Sequence, residues 1–123
     1  MSSIELGIAA AAAADDLKAT DIVVFEVGPI LAICEVFVLA SASNTRQVAA
    51  IAQEVEDQLF VAFGRRPIAV EGLEAKRWVL LDYGDVVVHV FLDEERSYYR
   101  LDRLYGDAPR IEWRRVSSGE ASV

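Results

Sequence analysis

Trp78-Val79-Leu80-Leu81-Asp82-Tyr83-Gly84-Asp85-Val86-Val87-Val88-His89-Val90-Phe91 reads as two β-strands folded back at Asp82-Tyr83-Gly84-Asp85. Two β-branched, apolar runs flank acids and a glycine, the residues that favour a tight reversal. Folding the run at that point pairs Leu81 with Val86, Leu80 with Val87, Val79 with Val88 and Trp78 with His89. Directly paired residues point to the same side of a sheet. One face then carries Val79, Leu81, Val86 and Val88, all core material. The other carries Trp78, Leu80, Val87 and His89, with Asp82 and Asp85 at its rim. A large aromatic beside carboxylates suits a docking surface, where buried anchors supply energy and charges supply orientation.

Upstream, Ser2 and Glu5 have capping-box spacing. The run Ala9 to Ala14 favours helix, and Leu17-Lys18-Ala19 is its expected exit. Ile22 to Val27 is a strand ended by Gly28-Pro29. Ile33 to Leu39 is a second, almost wholly apolar strand, expected to be central. Asn44 and Gln47 signal another cap. Val48, Ile51, Ala52, Val55, Leu59, Ala62 and Phe63 follow at helical spacing, and Gly64 closes that helix. A short strand is expected over Pro67 to Val70, with proline at its start. Downstream of the hairpin, Asp93-Glu94-Glu95-Arg96 opens a short helix running towards Leu104.

The order α-β-β-α-β-β-β-α predicts an α/β (α+β) fold with a mixed five-stranded sheet and flanking helices. The helix between strands two and three forces a crossover, while the hairpins are antiparallel. Residues 1–109 read as a single domain, and residues 110–123 as a C-terminal extension whose end frays.

With 123 residues, 54% of them apolar, the chain has enough material for one core. Its net charge of −8 argues against duplex or RNA backbone as the main partner, since such binding relies on many Lys and Arg. A basic protein surface is compatible with that charge. Cys34 is the single cysteine, which excludes a disulfide framework and fits a reducing, cytoplasmic setting. The stretch from Leu6 to Ala14 has no positive flank and is too short to span a bilayer, so no membrane role is expected.

Asp82, Asp85 and His89 superficially resemble a metal or acid–base cluster. Carboxylates at a tight turn usually cap backbone donors instead. Ser41-Ala42-Ser43-Asn44 joins a strand to a helix, as phosphate loops do, but it lacks a glycine-rich cradle and reads as a plain cap. No catalytic, cofactor-binding or metal-binding residue is assigned. Cys34 reads as an inert core thiol. Tyr98 and Tyr99 are adjacent on a helix, so both cannot face inward. With Tyr105 nearby and Glu94, Glu95, Asp102 and Asp107 around them, they extend the docking surface.

Read together, these segments closely resemble the ribosomal silencing factor (Iojap) family. The resemblance rests on 17–24, 36–41, 46–51, Glu71-Gly72, 78–91 and 96–108, and the hairpin block is the most specific part. It implies a nucleotidyltransferase-like fold without catalytic carboxylates. It implies binding to the large ribosomal subunit through ribosomal protein fourteen, steric blocking of small-subunit joining, and repression of translation when nutrients are short. It places the ribosomal-protein contact on Trp78, Leu80, Asp82, Tyr83, Asp85, Tyr98, Tyr99 and Asp102, with no sequence-specific nucleic acid contact and no cofactor. The chain departs from the family pattern at Cys34-Glu35-Val36, Ala42 and Gln47. Two rival expectations are a small nucleotidyltransferase acting at the Ser41–Asn44 loop and a self-associating structural protein. In the latter, a homodimer when free, the Ala-rich first helix packs against a second copy.

Overall fold

The structure, a computed structural model, describes residues 2–28, 34–99 and 108–114, with the backbone alone described for 97–99. The elements are α1 (Ser3–Asp16), β1 (Thr20–Glu26), β2 (Val36–Ala42), α2 (Thr45–Phe63), β3 (Ala69–Glu71), β4 (Trp78–Asp82), β5 (Val86–Leu92), α3 (Asp93–Tyr99) and β6 (Arg110–Ile111). The described strands form one mixed sheet in the order β3-β4-β5-β2-β1-β6. β2 pairs in parallel with β5, and the other neighbours are antiparallel. The crossover through α2 and the β3–β4–β5 meander therefore sets the apolar β2 at the centre.

The helix caps follow from the residues that signal them. The Ser2 hydroxyl accepts the Glu5 amide N–H at 3.1 Å, and the Glu5 carboxylate accepts that of Ser2 at 3.2 Å. This reciprocal pair satisfies two donors that a helix start leaves open. Asn44 Oδ1 accepts the Gln47 amide at 2.8 Å at the head of α2. Gly64 ends α2 at φ 68°, the left-handed conformation that glycine adopts without strain.

One side of the sheet is covered by α1 and α2. Its core joins Leu6, Ala10, Ala11, Ala13 and Ala14 of α1 to Val48, Ile51, Val55 and Leu59 of α2, and both to Val24, Val36, Val38, Val79, Leu81, Val88 and Val90. Gly7 lets α1 approach closely, because a Cβ there would lie 2.8 Å from Val36 Cγ1. The alanine run is thus occupied within its own molecule, between the sheet and α2. The opposite side holds a smaller cluster of Phe25, Val27, Cys34, Leu39, Phe91 and Ala108, with Phe37, Trp78 and Val87 packed on it.

Three differences from expectation have local causes. The hairpin pairs Leu81 with Val88, Leu80 with His89 and Trp78 with Phe91, two residues away from the tight register. The reversal keeps its length but is centred one residue later, on Gly84-Asp85: Tyr83 N–H bonds to the Val86 carbonyl at 2.8 Å, and Gly84 takes φ 91° inside the turn. β2 begins at Val36, and Ile33, where that strand was expected to start, lies outside the described residues. β6 is a sixth strand, placed in the segment assigned from sequence to a C-terminal extension. It pairs with β1, while Trp113 beyond it is buried and donates its indole N–H to the Ile22 carbonyl at 3.2 Å.

Candidate docking surface

Slipping a hairpin by two residues preserves which side chains share a face, because the strand period is two. Trp78, Leu80 and Asp82 accordingly lie on the side of β4 away from α1 and α2, each partly exposed. His89 and Phe91 of β5 and Phe37 of β2 stand behind them. The Trp78 ring lies 4.9 Å from that of Phe91 and 6.0 Å from the His89 imidazole. Phe37 meets the same imidazole edge-on at 4.9 Å.

His89, on the inner strand β5, is 4% exposed. Trp78 Nε1–H donates to His89 Nδ1 at 3.1 Å. A neutral imidazole that accepts at Nδ1 carries its proton on Nε2. Among the described residues, that Nε2 is buried without a hydrogen-bond partner. Such an orphan costs about 1–3 kcal/mol. Burial drives the His89 pKa from its ordinary 6.5 down to about 4.

α3 is held beside this face. Arg77, just before β4, bonds to Glu95 at 2.7 Å and reaches Glu94 at 3.7 Å. The buried Arg96 donates to the Ser41 hydroxyl at 2.7 Å. The backbone of Tyr98 and Tyr99 therefore continues a helix anchored next to Trp78. Their side chains, and all of Asp102 and Tyr105, lie outside the described residues.

Tyr83 and Asp85 are placed differently from the expected contact surface. Tyr83 is 2% exposed and joins the α1–α2 core, where burial first and the Glu56 carboxylate second push its phenol up to about 12. Asp85 works as a tie: its Oδ2 accepts from the Ser3 hydroxyl and its Oδ1 from Arg65 Nη2, both at 2.8 Å. Burial raises the Asp85 pKa, but the bonds from Arg65 and Ser3 outweigh it and hold the carboxyl below its usual range. Arg65 also donates to the Tyr83 carbonyl at 2.9 Å, so one guanidinium pins the turn. Asp82 bonds the Gly84 amide at 2.8 Å, the capping role expected of a turn carboxylate.

The polar groups of the Ser41–Asn44 loop are used internally. Ser41 is buried beneath Arg96, Ser43 bonds to Gln47 at 3.1 Å, and Asn44 caps α2. Among the described residues, His, Cys, Asp and Glu side chains form no group that could hold a metal ion. Cys34 is buried, and burial raises its thiol pKa. No described helix is long and apolar enough to cross a membrane.

The family model described as "Ribosomal silencing factor during starvation" matches residues 1–122. The chain belongs to the ribosomal silencing factor family. It is 46% identical over 100 residues to the ribosomal silencing factor RsfS of Bacillus subtilis, covering 81% of this chain and 84% of that one. It is 42% identical to RsfS of Halalkalibacterium halodurans, covering 96% of this chain and all of the relative. A crystal structure of a Chromobacterium violaceum protein superposes with a TM-score of 0.82 at 31% identity, covering 98% of this chain and 99% of that one. Membership in this family makes the chain a protein of translational regulation.

Proposed function

We propose that this protein docks on the large ribosomal subunit through ribosomal protein fourteen and sterically prevents the small subunit from joining, repressing translation under nutrient limitation. The observation that carries this reading is the braced, partly exposed Trp78, in line with Leu80 and Asp82 on the side of the sheet away from α1 and α2. Trp78 and Leu80 act as apolar anchors. Asp82 and the acids of α3 orient a basic partner, and Tyr98, Tyr99 and Asp102 extend the contact. The buried Tyr83 shapes the turn from behind, and Asp85 ties that turn to Ser3 and Arg65. The net charge of −8 speeds encounter with a basic surface and weakens as salt screens it. No bond is made or broken; occupancy alone is the mechanism.

The experiment is sedimentation of purified large subunits with the protein, followed by addition of small subunits. The intact protein is expected to co-sediment and to suppress formation of joined ribosomes. Trp78→Ala should weaken binding by roughly 30-fold, about 2 kcal/mol for a hot-spot aromatic. Normal subunit joining at saturating wild-type protein would overturn the proposal.

A further inference from the structure

The chain's single histidine occupies a place where an apolar side chain would fill the space without leaving a donor unmet. What the imidazole supplies in return is an acceptor at Nδ1 for the Trp78 indole N–H, at 3.1 Å. Phe37 edge-on and Phe91 stacked at 5.9 Å hold the imidazole plane, so the acceptor is fixed in direction. Trp78 is partly exposed, and water can satisfy an indole N–H at such a position. The bond therefore matters less for satisfying that donor than for setting the orientation of the ring. The terminal torsion of an aromatic side chain is otherwise broad and roughly two-fold. Ordering such a side chain during association opposes binding, and ordering it beforehand removes that cost.

We propose that His89 is a positioning residue that presets the Trp78 indole for docking, acting through Trp78 without touching the partner. This rests on the docking surface proposed above. Losing the Nδ1 acceptor is expected to weaken binding to large subunits by about tenfold, the scale of one side chain left to be ordered on contact.

The test compares wild type, His89→Phe, His89→Leu, His89→Asn and Trp78→Ala. Binding to purified large subunits is measured alongside thermal melting and the Trp78 indole N–H resonance, assigned by its loss in Trp78→Phe. The Phe and Leu variants keep an apolar fill and remove the acceptor. Whichever folds should shift the indole resonance, speed its hydrogen exchange and lose about tenfold in affinity at unchanged or higher melting temperature. His89→Asn returns an acceptor oxygen near the position of Nδ1 and should restore part of the affinity. A purely structural histidine would lower the melting temperature and leave the affinity of the folded variant intact, which overturns the proposal. Rapid exchange of the Trp78 indole N–H in wild type would overturn it without any variant. If Trp78→Ala itself binds normally, the docking surface fails. If Trp78→Ala loses affinity while folded His89→Phe and His89→Leu keep it, only the positioning role fails.

Discussion

Burial alone holds the His89 imidazole neutral down to about pH 4, whereas in the unfolded chain it titrates near its ordinary 6.5. Between those values the unfolded state binds the extra proton. The His89 contribution is therefore complete above pH 6.5 and is lost as the pH falls towards 4, by roughly 3 kcal/mol in total. Carboxylates begin to titrate at the lower end of that window, so the informative quantity is a difference. Urea unfolding of His89→Leu against wild type, from pH 7 to pH 4, should show wild type losing stability relative to the variant as the pH drops. Parallel curves would refute the assignment. At this scale the sequence spoke unevenly. Trp78, Leu80 and Asp82 were legible as one surface from alternation. Tyr83 was not, because a turn residue can be folded under its own hairpin, and only the φ 91° bend at Gly84 and the cover of α2 decide that it is. The ties of Asp85 were hidden for a related reason: its partners Ser3 and Arg65 are 82 and 20 residues away along the chain.

Whole elements were more legible than their pairings. Caps at Ser2 and Asn44 and the stop at Gly64 are local chemistry, and all three appear where the residues placed them. The hairpin register depends on where the turn is centred, which one hydrogen bond and one glycine settle. The faces survived the slip because it was even. β6 escaped notice although Arg110-Ile111-Glu112-Trp113-Arg114 alternates, with Trp113 buried and Arg110, Glu112 and Arg114 exposed; two paired residues give little signal beside a polar tail. The seating of α1 offers a sharper check. Gly7→Ala gains intrinsic helix stability of about 1 kcal/mol. It also drives a methyl to 2.8 Å from Val36 Cγ1 between two rigid elements. The overpacking term, roughly 1–3 kcal/mol, should win and lower stability in urea titration. Val36→Ala in the same chain should recover much of the loss, whereas an additive double variant would show that α1 is not seated so closely.

On the scale of the whole molecule, two helices on one side leave the other side of the sheet to α3 and the aromatic row. That asymmetry suits a protein whose work is to occupy a surface. It also leaves the long, apolar inner strands to be guarded sideways. The sheet is bordered by β3, three residues long and preceded by Pro67, and by β6, two residues long. Such stubs offer few open amides to a neighbouring chain. Excising 67–71 would bare the Trp78-Val79-Leu80-Leu81 edge, a β-prone segment without charge, to templated cross-β growth. The excised protein should seed thioflavin-positive fibrils at concentrations where the parent stays clear; if it stays clear as well, the short borders are not what keeps this apolar chain from polymerising.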